Sequence, residues 1–261
     1  MQRLQAGGLV YYQFEMWADA PFRHGIFTRW GGVSAAPWGS LNLGGTVGDA
    51  VEAVQENHRR MYAALAVDPG QVCSVWQVHS ADTVVAEAPL PGRRWLNRAD
   101  GMVTQHQDVA LAMRFADCVP LLFYDPMQNV LGMAHAGWRG TLSGAQLSTL
   151  ATMQAAYGSR PQDVQVGIGP SIGPARYQVG EEVVQAARAA LGPDCGGTIR
   201  RDPADGTAYL DLWEANRQLL QRAGVEMIEI AGICTATHTD EFFSHRAEQG
   251  QTGRFGALMA F

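Results

Sequence analysis

The chain has few cysteines and no local cysteine pair. Its four cysteines, at positions 73, 118, 195 and 234, are widely separated, and none belongs to a CxxC motif. Disulfide scaffolds and many structural zinc sites depend on closely spaced cysteines, so we expect free thiols or isolated ligands here. This pattern favours a cytoplasmic protein.

Basic charge and long apolar runs are also scarce. Nineteen Lys and Arg residues against 25 Asp and Glu give a net charge of -6, which argues against a nucleic-acid surface, because such a surface usually needs a basic face. No apolar run approaches the length of about 18 residues that a membrane span needs. The first eight residues are too short and too polar for a signal peptide. With 261 residues, 47% of them apolar, and no linker or repeat, we expect a single domain over residues 1–261.

One stretch, residues 116–141, combines clear strand signals with candidate functional side chains. Two apolar runs, residues 119–124 and 130–134, flank a turn that contains Pro and Asn, and this pattern predicts a buried antiparallel hairpin. Cys118 stands just before the first run and His135 just after the second, so the hairpin would bring both side chains to the same open end. A thiolate and an imidazole that meet there fit a metal site or a nucleophile–base pair.

The remaining segments predict a mixture of helices and strands. Asp49 is expected to cap the first helix. Helices are expected at residues 51–65, 140–157, 181–191 and 212–222. Further strands are expected at residues 10–14, 25–29, 72–78, 84–86, 101–104, 109–114, 164–168, 225–230, 242–245 and 255–261. The elements lack the even alternation of a doubly wound sheet, so the pattern favours an α/β protein with mixed sheets covered by helices.

His79 is a third candidate ligand beside Cys118 and His135, because it follows the predicted strand at residues 72–78. Two nitrogens and a sulfur, with a fourth position left to water, are typical of catalytic zinc. The alternative is three separate buried side chains, since free Cys is among the most buried residue types. No CxxC or HxxxH pair supports the metal site.

Several arginines could bind an anion near the hairpin. Arg139 lies in the sequence Gly-Trp-Arg-Gly at residues 137–140, and a guanidinium suits bidentate binding of phosphate or carboxylate. A surface salt bridge is the alternative role. Arg29, Arg246 and Arg254 lie in other Gly- or Ser-containing loops and are weaker candidates.

Two aspartates are candidate acid–base groups. Asp117 precedes Cys118, and Asp100 precedes a glycine, so capping of a turn is the alternative for both. Aromatic residues near these segments could stack on a flat ligand, but a core position is expected for them. They are Trp76, Trp138, Phe242 and Phe243.

A formal GxSxG motif occupies residues 169–173 and follows a predicted strand, as in a hydrolase whose nucleophile would be Ser171. No HGGG-type oxyanion segment precedes it. A chance match is common in a chain with 30 glycines, so the motif supports a serine hydrolase only weakly.

A set of motifs occurs in an order that points to one family. They are Thr-Arg-Trp-Gly-Gly-Val-Ser at residues 28–34, Leu-Asn-Leu-Gly at 41–44, Gln-Val-His at 77–79, Ala-Asp-Gly at 99–101, Ala-Asp-Cys-Val-Pro at 116–120, His-Ala-Gly-Trp-Arg-Gly at 135–140, Gly-Ile-Gly-Pro-Ser-Ile-Gly at 167–173 and Thr-Gly-Arg at 252–254. Together they resemble the laccase-domain (YfiH-type) purine nucleoside phosphorylase family, once labelled multicopper polyphenol oxidases. The resemblance spans nearly the whole chain.

The resemblance implies a four-layer α/β/β/α fold and a Zn²⁺ site formed by His79, Cys118 and His135. It also implies phosphorolysis of adenosine, inosine and methylthioadenosine with inorganic phosphate, together with deamination of adenosine. It makes the GxSxG segment a family feature rather than a nucleophile. In this scheme we expect Arg139 and Arg246 to position phosphate and Asp117 to take part in proton transfer.

The chain departs from the family near its C-terminus, where Phe-Ser-His-Arg-Ala at residues 243–247 replaces the usual Phe-Ser-Tyr-Arg-Arg. Arg246 keeps the first arginine, and His245 is an extra potential ligand or base. Copper oxidase chemistry is not expected, because multicopper centres need about ten histidines, largely in HxH pairs, whereas this chain has seven histidines and no HxH.

Two other functions remain open from the sequence. One is a Cys- or Ser-dependent hydrolase acting on cell-wall fragments. The other is an interaction module with a structural metal, whose fourth ligand would come from Cys73, Cys234 or His245.

Overall fold

The computed structural model describes residues 1–90 and 94–261. Numbered along the chain, the strands are β1 (Gln2–Ala6), β2 (Leu9–Gln13), β3 (Arg23–Phe27), β4 (Val72–Cys73), β5 (Thr83–Val85), β6 (Gly101–Thr104), β7 (Ala110–Phe115), β8 (Val119–Asp125), β9 (Val130–Ala136), β10 (Gln165–Ile168), β11 (Gln178–Val179), β12 (Ile199–Arg201), β13 (Ala208–Leu210), β14 (Met227–Ile230) and β15 (Phe255–Ala260). The α-helices are α1 (Val51–Ala64), α2 (Trp138–Ser143), α3 (Ala145–Tyr157), α4 (Glu181–Leu191) and α5 (Leu212–Arg222). Within the described residues, no helix has the length and apolar character needed to span a bilayer.

The strands form two large mixed sheets and one small one. The first large sheet has the order β1-β2-β3-β15-β7-β4, and the second has the order β14-β10-β8-β9-β6-β5. Most neighbours are antiparallel, but β4 runs parallel to β7, and β5 runs parallel to β6. The small sheet has the order β11-β13-β12. The prediction of mixed sheets is confirmed.

The two large sheets pack face to face between layers of helices. Phe115 and Phe255 of the first sheet meet Leu122 and Met133 of the second in a shared core. Because side chains alternate along a strand, Leu121 and its alternate neighbours on β8 point the other way.

Those side chains pack against the helices that cover the outer face of the second sheet. Phe123 packs with Leu150 of α3 and Leu220 of α5, while Met61 of α1 covers the outer face of the first sheet beside Leu258. Burial of both faces of each sheet accounts for the apolar character of the strands. The result is the four-layer α/β/β/α arrangement that the family resemblance implied.

The central hairpin follows its prediction. Strands β8 and β9 pair antiparallel, with Val119 opposite Ala136 and Pro120 opposite His135. This register places Cys118, which directly precedes β8, at the same end of the hairpin as His135.

Two predicted elements are wrong because tertiary contacts override the local pattern. The helix expected at residues 140–157 is broken into α2 and α3 at Gly144, whose φ of 88° lies in the left-handed region that glycine tolerates. Residues 242–245 form no strand; Phe242 donates its backbone N–H to His238 in a turn, while its ring lies in the core between the sheets.

Two other predictions fail at element ends. Strand β4 ends at Cys73, and beyond it only an isolated bridge joins Trp76 to Arg98. Asp49 does not cap α1, whose N-cap is Ala50. Its carboxylate instead accepts hydrogen bonds from Ser34 Oγ at 2.6 Å and Asn42 Nδ2 at 2.8 Å.

Candidate metal centre and substrate cavity

The three predicted metal ligands lie together at the open end of the β8–β9 hairpin. One ligand atom each of His79, Cys118 and His135 lies within 4.8 Å of the others, and no other His, Cys, Asp or Glu of residues 1–90 and 94–261 joins this group. His135 is buried, Cys118 is half-buried and His79 is exposed. The group is therefore enclosed by protein on one side and accessible on the other.

Asp100 positions two of these candidate ligands through hydrogen bonds. Its Oδ1 lies 2.8 Å from Nδ1 of His135, and its Oδ2 accepts hydrogen bonds from the backbone N–H groups of Val78 at 3.0 Å and Ser80 at 2.7 Å. Those two amides flank His79, which adopts a left-handed φ of 62° that is uncommon outside glycine. One fully buried carboxylate thus fixes the backbone of His79 and directs Nε2 of His135 toward the site.

The surroundings favour a thiolate at Cys118. Burial alone would raise the pKa of this thiol, but the adjacent rings of His135 and His79 outweigh burial and lower the pKa to about 6. A thiolate is the form of cysteine that binds metals and acts as a nucleophile.

Gly137 leaves room for the cysteine sulfur. A Cβ atom at this position would lie 2.7 Å from Sγ of Cys118 and 3.5 Å from Cδ2 of His79. The backbone of Gly137, with φ of -72° and ψ of -177°, is accessible to any residue. The requirement for glycine at this position is therefore steric.

Asp117, the predicted proton-transfer residue, is held by two hydrogen bonds. Its Oδ1 accepts from the Thr235 hydroxyl at 2.7 Å, and its Oδ2 accepts from the backbone N–H of Arg246 at 2.6 Å. These contacts dock the loop that carries Arg246 against the residue before Cys118. A role of Asp117 in proton transfer stays a prediction.

A large cavity opens onto the three candidate ligands. It has a volume of about 1010 Å³, and its described lining includes six arginines but one acidic residue, Asp117. The chain contains no lysine, so arginines supply all of its fixed side-chain cations. This charge distribution favours an anionic ligand, although the chain as a whole is acidic.

Both arginines predicted to bind phosphate line this cavity. The Arg139 guanidinium lies 4.5 Å from the centre of the Trp138 ring. The Arg246 guanidinium lies 5.2 Å from the centre of the Tyr177 ring, and its Nη1 donates a hydrogen bond to the Gln178 carbonyl at 2.9 Å. Neither forms an ion pair with a described carboxylate.

Arg254, a weaker candidate from the sequence, reaches the same cavity. Its Nη1 donates to the backbone carbonyls of Thr252 at 3.2 Å and Gly253 at 2.8 Å. Burial lowers the pKa of its guanidinium, while the charges of Cys118 and Asp117 oppose that effect. Arg29 lies elsewhere, in an ion pair with Glu248.

The described residues provide neither the serine nucleophile nor a cysteine as fourth metal ligand. Ser171 is fully buried and its Oγ accepts a hydrogen bond from Nε1 of Trp213 at 2.6 Å, so it is not an exposed nucleophile. The Cys73 thiol contacts the Ala88 carbonyl, and Sγ of Cys234 accepts from the backbone N–H of Gly173. Within the described part of the chain, neither cysteine belongs to the group of candidate metal ligands.

Several residues of the cavity wall carry no signal in the sequence. Trp95, Arg114 and Tyr177 come from three separate segments and carry no shared motif. Burial and the nearby Cys118 raise the pKa of the Tyr177 phenol, so this group keeps its proton. The exposed His245 lines the cavity but lies outside the group of candidate metal ligands.

Comparison with known proteins agrees with this architecture. Residues 23–261 match the family model described as multi-copper polyphenol oxidoreductase laccase. The purine nucleoside phosphorylase YlmD of Geobacillus stearothermophilus is 38% identical over 243 residues, which cover 90% of this chain and 88% of that protein. The purine nucleoside phosphorylase of Deinococcus radiodurans is 40% identical over 237 residues, with the same two coverages of 90% and 88%.

Solved structures show the same fold. The crystal structure of the Bacillus licheniformis hypothetical protein YfiH has a TM-score of 0.90 and 32% identity, covering 99% of this chain and 98% of that one. The crystal structure of YlmD from Geobacillus stearothermophilus has a TM-score of 0.88 and 35% identity, covering 98% and 97%. The chain therefore belongs to the laccase-domain, YfiH-type purine nucleoside phosphorylase family.

Proposed function

We propose that this protein is a zinc-dependent enzyme that cleaves purine nucleosides with inorganic phosphate. The observation that carries the proposal is the convergence of His79, Cys118 and His135 at a cavity lined by arginines. Relatives that share over a third of its sequence are named purine nucleoside phosphorylases. The proposed substrates are adenosine, inosine and methylthioadenosine, and adenosine deamination is a proposed second reaction at the same site.

The donor set fits zinc. Two imidazoles and one thiolate match the mixed nitrogen and sulfur ligands of catalytic zinc, and three protein ligands leave a position for water or substrate. Hard cations such as Mg²⁺ prefer oxygen ligands, which the group lacks. Zinc bound here would supply Lewis-acid polarisation of a substrate oxygen or water.

The chain's own residues would position the reactants. Arg139 and Arg246 would bind the phosphate dianion through charged hydrogen bonds and hold it for attack on C1′ of the ribose. As the new C1′–O bond forms, the C1′–N9 bond breaks, and the purine leaves with the electron pair and takes up the proton that the hydrogen phosphate loses. The contacts of Asp117 with Thr235 and Arg246 support a positioning role for this carboxylate in the reaction.

The proposal is tested by metal removal and a nucleoside panel. We expect the purified protein to release ribose 1-phosphate from adenosine, inosine or methylthioadenosine only when phosphate is present. Chelation should abolish this activity, and added zinc should restore it. Full turnover by the metal-free protein would overturn the proposal.

A thiol hydrolase acting on cell-wall fragments is a second candidate, favoured by the thiolate character of Cys118 beside His135. Such an enzyme would keep its hydrolytic activity after chelation and lose it on alkylation of Cys118. It would also release no ribose 1-phosphate from any nucleoside.

A further inference from the structure

Two tryptophans line the cavity with much of their surface uncovered. Trp76 and Trp95 are each 40% exposed, and their ring centres lie 5.6 Å apart at an interplanar angle of 69°. Exposed tryptophan within a cavity offers a large, rigid apolar surface to a ligand. The two nearly perpendicular rings form a corner that suits a flat ring system, with stacking on one indole and edge contact with the other.

Backbone hydrogen bonds join the two segments that carry these tryptophans. The Trp76 N–H donates to the Asn97 carbonyl at 2.9 Å, and the Leu96 N–H donates to the Ser74 carbonyl at 2.9 Å. The segments that carry Trp76 and Trp95 therefore run side by side. The backbone beneath the corner is therefore already ordered, which limits the conformational entropy lost when a ligand binds.

Arg114 adds a fixed cation to this corner. Its guanidinium lies 4.5 Å from the centre of the Trp95 ring, and it donates hydrogen bonds to Ser74 Oγ at 2.9 Å and the Val75 carbonyl at 3.0 Å. A cation beside an indole attracts the electron-rich edge atoms of a heteroaromatic ring. A purine carries such atoms in its ring nitrogens.

The corner lies close to the metal centre. Trp76 is three residues before His79, so their Cα atoms are at most roughly 11 Å apart, since an extended chain spans at most about 3.6 Å per residue. Both residues line the same cavity. A single nucleoside can therefore contact the corner and the metal centre together.

We propose that Trp76 and Trp95 form the subsite that stacks the purine base, with the ribose and phosphate directed toward Arg139 and the metal centre. The identity of the base rests on the proposed function. Stacking tolerates ring substituents, because every purine has a π face. This subsite therefore accepts both 6-amino and 6-oxo purines, and it accounts for the proposed use of both adenosine and inosine.

The test is equilibrium binding of free adenine and of adenosine to Trp76→Ala, Trp76→Phe and Trp95→Leu. Trp30→Ala is the matched control, because Trp30 is 49% exposed but is not among the residues that line the cavity. We expect Trp76→Ala to bind both ligands roughly 10- to 100-fold more weakly. Trp76→Phe should recover most of the affinity, and zinc content and phosphate binding should stay unchanged.

Steady-state kinetics give an independent readout. Loss of stacking removes binding that the ground and transition states share, so KM for adenosine should rise far more than kcat falls. Wild-type affinity for adenine in both Trp76→Ala and Trp95→Leu would overturn the subsite, even if the protein cleaves nucleosides. Tryptophan-dependent adenine binding by a protein that cleaves no nucleoside would support the subsite and overturn the proposed function alone.

Discussion

Two buried histidines show how different surroundings give the same side chain opposite properties. His24 is 1% exposed and His135 is 5% exposed. His24 lies among Phe14, Trp17 and Phe22, and its Nε2 accepts the backbone N–H of Phe14 at 2.9 Å. Burial lowers its pKa to about 4, so it stays neutral as part of the core.

His135 is equally enclosed but meets opposite charge. Burial alone would lower its pKa, whereas the Cys118 thiolate and the Asp100 carboxylate outweigh burial and raise the pKa to about 9. The acidic partners, rather than the degree of burial, therefore separate the histidine of the candidate metal centre from the core histidine.

The largest expected effect comes from replacing each of the two histidines by glutamine in a separate variant. His135→Gln should lower both the zinc affinity and the rate of phosphorolysis by more than about 100-fold. Removal of a residue that only orients a metal ligand typically costs no more than that. His24→Gln should keep the wild-type zinc content per chain while lowering the melting temperature. Metal analysis and thermal unfolding of both variants check this contrast, and equal zinc loss in the two would break it.

The pH dependence of stability sharpens the same contrast. The unfolded chain protonates His24 below about pH 6.5, whereas the folded chain does so only near pH 4. Between these values the unfolded state binds more protons, so stability is lost as the pH falls, by up to roughly 3 kcal/mol in total.

Denaturant unfolding from pH 7 to pH 4 measures this loss. The curve of His24→Gln should be flatter than that of the wild type over the same window. Parallel curves for the two proteins would show that His24 has the same pKa in the folded and the unfolded state, which contradicts the effect of its burial.

Two buried aspartates extend the comparison to the carboxylates. Asp100 and Asp125 are both fully buried, but Asp125 Oδ1 accepts only from the backbone N–H groups of Met127 and Gln128 in the hairpin turn. We expect Asp100→Asn to weaken zinc binding by roughly 10- to 100-fold. Asp125→Asn should leave zinc affinity unchanged, and a competition titration with a chelator distinguishes the two outcomes.

The smallest effect is expected from the arginines. Arg139→Gln should raise KM for phosphate by roughly tenfold, as loss of one charged hydrogen bond does. Arg160→Gln is the control, because Arg160 forms a surface pair with Asp163, and such pairs contribute little. An unchanged phosphate KM in Arg139→Gln would remove this residue from the phosphate site.

Local sequence patterns predict those helices and strands whose formation depends mainly on their own residues. Helices α4 and α5 occupy the predicted residues 181–191 and 212–222, because their apolar residues recur at helical spacing. The break at Gly144 was not predicted, since the sequence on both sides favours helix and the break depends on one left-handed glycine.

The site shows the same division. Cys118 and His135 lie at one end of the β8–β9 hairpin, as their positions beside two apolar runs predict. His79 reaches the same place from a loop, since β4 ends at Cys73 rather than at residue 78. The sequence indicates only an acid–base group or a turn cap at Asp100. It does not reveal the contact with His135, because the two residues are 35 positions apart in the chain. The need for glycine at position 137 was equally invisible, since it depends on the cysteine sulfur that the fold brings to it.

X-ray absorption at the zinc edge of the purified protein reports the ligands of the proposed zinc. We expect one zinc per chain with one sulfur, two imidazole nitrogens and at least one light atom from solvent. A zinc with two sulfur ligands, a fully protein-bound zinc, or a protein that binds no zinc would contradict it.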